Sequence, residues 1–109
     1  MLRERIIVQH HFVNITQALE EQLLSRIWWH FENWSDTYLR TFLSKETAEI
    51  KLVVSMEKNK QDKYEATFSF YLDSDKPFVY TTDVPFKEPI DVVNHAFLHL
   101  KEHLADQKD

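Results

Sequence analysis

The chain contains neither cysteine nor glycine, and it holds three prolines in 109 residues. Without cysteine there can be no disulfides, thiol catalysis or cysteine-ligated zinc. Without glycine, the phosphate-cradling loops of nucleotide-binding proteins have no sequence basis, so nucleotide-dependent chemistry of the familiar kinds is not expected. No window approaches the ~20 apolar residues of a membrane-spanning helix. The opening "MLRERIIVQHH" also lacks the sustained apolar core of a secretory leader, so a cytoplasmic protein with no membrane partner is expected. Basic residues are scarce as well. Lysine and arginine number 13 against 18 acids, for a net charge of −5 with histidines neutral, a poor balance for a strong nucleic-acid binder.

What is present is aromatic content of 14% and ordinary hydrophobic content, which suit one globular domain over residues 1–109. There are six histidines, and protonating all of them would carry the net charge from −5 to +1.

Hydrophobic periodicity divides the chain. "RIIVQH", Arg5 to His10, is short and β-branched and predicts a strand, with His10 and His11 at the turn that follows. In the next stretch Leu19, Leu23, Ile27 and Phe31 recur every four residues, with Trp34 continuing, which predicts an amphipathic helix capped by Thr16. That helix either ends near Asn33 or runs on through 34–44, or else Ser35 caps a separate short helix containing Tyr38, Leu39 and Phe42. Period-two alternation follows at Ile50, Leu52, Val54 and Met56, then at Tyr64, Ala66, Phe68, Phe70 and Leu72. It is weaker in "KPFVYTTDV", as suits a short or edge strand. The polar links "KNKQDK" and "DSDKP" make these three strands successive hairpins. A closing helix starts at Pro89, with Ile90, Val93, Phe97, Leu100 and Leu104 as its apolar stripe. The expected fold is α+β: a two-layer β-α-β-β-β-α sandwich, a mostly antiparallel four-stranded sheet with two helices on its one apolar face.

Three stretches carry a resemblance. "VNITQALEEQLLSRI" (Val13 to Ile27), "EIKLVVSMEKNKQDKYEATFSFYL" (Glu49 to Leu72) and "EPIDVVNHAFLHLKEHL" (Glu88 to Leu104) together resemble the ribosome hibernation promoting factor and ribosome-associated inhibitor family. That family shares the element order and is similar in shape to double-stranded-RNA-binding domains. The resemblance implies a short-type member that binds rRNA of the small ribosomal subunit, in the channel used by mRNA and tRNA. It would act by steric occupancy, without catalysis or cofactor. The family carries basic residues along both helices. The positions implied here are Arg26, His30, Lys87, His95, His99, Lys101 and His103, assisted by Lys58, Lys60 and Lys63 in the first hairpin.

Each candidate also has a plainer reading. His95, His99 and His103 lie away from the apolar stripe on a helical wheel, so a solvated helix face comes first and phosphate contact second. They span about 12 Å of helix axis, too far for all three to reach one tetrahedral ion, so no metal site is expected. The three hairpin lysines fit a solvated turn. Trp29 points away from the core stripe, either as a partner-binding residue or covered by Tyr38 to Leu43. Asp73, Asp75 and Asp83 read as loop and strand-end carboxylates, and no catalytic residues are identified. The competing function is an acidic protein-interaction or homodimerising module that has lost RNA binding. Trp29 and an uncovered sheet face bearing Ile7, Val53, Tyr71 and Val79 motivate it.

Overall fold

The computed structural model describes residues 5–34, 39–40, 49–72 and 76–106. Its elements are β1 (Ile6–Val13), α1 (Gln17–Trp34), β2 (Ile50–Lys58), β3 (Tyr64–Leu72), β4 (Phe78–Thr81) and α2 (Pro89–Asp106). The sheet order is β1-β2-β3-β4, with β1 parallel to β2 and the other pairs antiparallel. This is the expected α+β arrangement. The one parallel pair follows from α1, which carries the chain back along the sheet between β1 and β2. No described helix is long and apolar enough to cross a membrane.

Alternation sorts the strands as predicted. Ile50, Leu52, Val54 and Met56 are buried on one face, with Tyr64, Ala66, Phe68 and Phe70 beside them on β3. Both helices cover that face: Leu23, Ile27 and Phe31 of α1 join Val92, Val93, Ala96, Phe97, Leu100 and Leu104 of α2 in one core. Phe97 sits at its centre, edge-on to Phe31 at 5.1 Å and to Phe70 at 5.3 Å. No helix among the described residues lies on the opposite face of the sheet, and Ile7 and Val79 are exposed there.

β1 runs further than expected. Its register with β2 continues unbroken from Ile6↔Ile50 to Val13↔Glu57, so His10 and His11 are strand residues and not a turn. The turn comes at Asn14, which adopts a left-handed φ of 59°. The other left-handed residue, Asp62 at 60°, closes the β2–β3 hairpin. Asparagine and aspartate are the residues that tolerate this region best in a chain without glycine. Asn59 braces the same hairpin, its Oδ1 accepting from the Gln61 and Lys63 amides at 2.9 and 3.1 Å.

Thr16 is the cap of α1, its Oγ1 accepting from the Leu19 amide at 3.2 Å. Thr16→Ala should therefore destabilise the fold by about 1 kcal/mol, whereas Thr16→Ser should be close to neutral. Urea titration of the two variants checks this. Ser35, Tyr38 and Phe42 lie outside the described residues, whereas Leu39 is buried and its amide donates to the Trp34 carbonyl at 2.9 Å.

Candidate functional site

The lysines are brought together by topology. β1, β2 and β4 all end, and both helices begin, at the same end of the sheet. Lys58, Lys60 and Lys63 sit there in the β2–β3 hairpin. Tyr64 and Phe86 form an antiparallel bridge, so the neighbouring Lys63 and Lys87 come from separate loops to the same place. Asn14, just before α1, holds the hairpin through its side-chain amide, which donates to the Lys58 carbonyl at 3.4 Å. Two helix N-termini, each with a partial positive charge, thus point toward the end that carries four lysines. The end is not uniformly basic, since Glu57, Asp62, Glu65 and Glu88 are interleaved, and Lys58 pairs with Asp62 at 3.7 Å.

The three histidines of α2 form a ladder against aromatic rings. His103 stacks on Phe78 at 4.6 Å, His99 lies at 5.0 Å from Tyr80, and His95 meets Phe86 at 5.0 Å. Commensurate spacing makes the first two contacts possible: four helical residues advance ~6 Å, and two strand residues advance ~6.7 Å. Because α2 runs antiparallel to β4, rising helix numbers meet falling strand numbers. The histidines therefore flank the core and cap an edge strand, where the helical wheel placed them on an outer face. His95 and His99 remain exposed and His103 is half-buried. No three His, Asp or Glu side chains among the described residues are grouped to hold a metal ion.

His30 is placed differently from its expectation as an RNA contact. It is only 8% exposed, stacked on Phe97 at 4.5 Å with the rings 9° from parallel, and edge-on to Trp29 and Trp34. Its Nε2 lies 2.8 Å from Asn94 Oδ1 on α2, while Nδ1 is buried without a hydrogen-bond partner. With Nε2 donating to Oδ1, the buried and unpartnered Nδ1 suits the neutral form of the ring. Burial lowers its pKa from 6.5, the Asn94 hydrogen bond opposes that shift, and the Arg26 charge adds to the lowering. A residue in this setting is a polar join between the two helices and is not presented to phosphate. The periodicity contains the signal for this: Leu23, Ile27, His30 and Trp34 are spaced 4, 3 and 4 apart, which is one side of a helix.

Arg26 and Trp29 lie on the outer side of α1. The Arg26 guanidinium sits 4.9 Å over the Trp29 ring, and Trp29 is 50% exposed. They border a shallow groove that runs along Gln22 and Ser25 to Ile90 at the start of α2. Lys101 is half-buried further along α2, away from the lysine end. Three separate surfaces therefore emerge: the lysine end, the Arg26–Trp29 groove, and the histidine ladder, whose His95 adjoins the first through Phe86. No family model matches the chain, and neither the curated proteins nor the solved structures yield a match.

Proposed function

We propose that this protein binds the small ribosomal subunit and inhibits translation by occupying the mRNA and tRNA channel. The observation that supports the reading is where the three resembling stretches fall. Val13–Ile27 spans the β1–α1 junction, Glu49–Leu72 is the β2–β3 hairpin, and Glu88–Leu104 is α2, in the element order that the resemblance requires. The lysine end supplies the surface for phosphate contact. Lys60, Lys63 and Lys87 are exposed, belong to two loops braced by the Tyr64–Phe86 bridge, and sit beside the starts of two helices. Phosphate contacts from such a surface position a protein on RNA without reading sequence, which suits recognition by shape.

Co-sedimentation with ribosomes from the protein's own source tests this. Stoichiometric pelleting that weakens with salt is the expected result. The variant K60E/K63E/K87E should pellet less, with the log–log salt slope reduced by about 0.7 per lost contact on single-strand-like RNA. A protein that stays in the supernatant at low salt removes the ribosomal reading. Exposed Trp29 and the uncovered apolar residues of the sheet favour the second reading, an interaction module without RNA binding. Partner binding that is indifferent to salt would select it.

A further inference from the structure

The two edges of the sheet are unlike. β4 has four residues, lies between Pro77 and Pro85, and is overlaid by the histidine ladder of α2. Short length, flanking proline and a covering helix are the usual means of blunting an edge against further pairing. Among the described residues β1 has none of these. It is eight residues long, continuous in register with β2, free of proline and bulge, and carries no aspartate, glutamate, lysine or arginine. No strand among the described residues pairs with its outer side.

The sequence of β1 also reads the same in both directions in polarity. About His10, the order Gln9, Val8, Ile7 outward on one side matches His11, Phe12, Val13 on the other. We propose that β1 is a self-pairing edge, through which two copies of this chain join antiparallel across a two-fold axis at His10 into one eight-stranded sheet. The axis must pass through a residue so that side chains on the same face meet, because neighbouring residues of a strand point to opposite faces. With His10 on the axis, Ile7 lies opposite the partner's Val13, Gln9 opposite the partner's His11, and Val8 opposite the partner's Phe12. Apolar meets apolar, and polar meets polar. Moving the axis to Gln9 would set Ile7 against the partner's His11 and Val8 against the partner's His10. The same symmetry favours a second copy over an unrelated extended peptide, since one strand supplies both complementary halves.

The side chains at the axis suit this pairing. His10 Nε2 is 3.0 Å from Glu20 Oε1 on α1 of its own chain, so each copy brings its histidine with a carboxylate beside it. Gln9 and His11 are exposed on the face opposite α1 and α2, with Val13 half-buried on that face beside them. One strand pair with its flanks is a small interface, below ~1,200 Å² in total, so the dimer is weak and depends on concentration. It does not depend on ribosome binding.

Sedimentation velocity of the full chain over about a hundredfold range of concentration reads the association directly. The expected result is a reversible monomer–dimer equilibrium. Q9K/H11K places lysines directly opposite each other twice in the dimer and should raise its Kd at least about tenfold, with the thermal melt of the monomer unchanged. Because the chain has no cysteine, Q9C/H11C gives a clean second probe, and oxidation should yield a covalent dimer that reduction dissolves. A chain that is monomeric throughout, or a dimer whose Kd ignores Q9K/H11K, overturns the proposal. Should Q9K/H11K fail to fold, failure of Q9C/H11C to cross-link overturns it equally.

Discussion

Phe97→Ala should destabilise this protein by about 3–5 kcal/mol, the range for removing a large aromatic side chain from a packed core. A domain of this length has roughly 5–15 kcal/mol of folding free energy in all, so the variant approaches the threshold of unfolding. The reason is where Phe97 stands. It is fully buried and touches four rings from two other elements: His30, Phe31 and Trp34 on α1 and, from below, Phe70 on β3. An alanine there would leave a cavity that these rings cannot close together, because their backbones belong to separate elements. One position along the same helix, Leu98 is 46% exposed, and Leu98→Ala should stay within about 0.5 kcal/mol of the parent. Urea unfolding of both variants decides the matter, with the slope unchanged and only the midpoint moving. Equal costs for the two would mean that the ring cluster is not the centre of the core.

The second large effect is acid sensitivity through His30. Its pKa is lowered in the folded protein, chiefly by burial, whereas in the unfolded chain it is near 6.5. The unfolded state therefore binds more protons, and stability rises with pH where the two states differ. The contribution is complete above the unfolded value and is lost as pH falls from about 6.5 toward the lower folded value. One such group gives a slope of at most about 1.4 kcal/mol per pH unit. The surroundings account for the direction. Protonation would put a charge on Nδ1, which has no partner, between Trp29, Trp34 and Phe97 and beside the Arg26 cation. Asn94 Oδ1 accepts from the ring's other nitrogen, Nε2. Chemical unfolding of the parent should therefore show a loss of stability as the pH falls below about 6.5 that His30→Leu reduces. The same slope in both proteins would assign the acid sensitivity to other groups.

Both predictions depend on a helix–helix contact that local pattern only partly exposes. Thr16 as a cap, Leu23, Ile27 and Phe31 as a buried stripe, and the alternation of Ile50 to Met56 were all legible, because each rests on the repeat of a single element. The end of β1 was not. "HHFV" lacks a consistent polar alternation, and its strand character comes from pairing with β2 residues more than forty positions away. Among the candidate RNA contacts, the lysines of the hairpin and Lys87 are well separated in sequence. They meet only because the Tyr64–Phe86 bridge joins their loops. His95, His99 and His103 were legible as one line along a helix, but the rings they pack against could not be read from the helix itself.

By itself the sequence determined the element order, the faces that β2 and β3 bury, and the exclusion of thiol and glycine-loop chemistry. Those follow from composition and from repeats of two and 3.6 residues, which any short window displays. The tertiary structure alone decided that His30 is a buried join to Asn94, that Arg26 rests on Trp29, and that four lysines share an end with two helix N-termini. Those depend on which surfaces meet after the chain has closed over long distances, and contact across elements has no period to read.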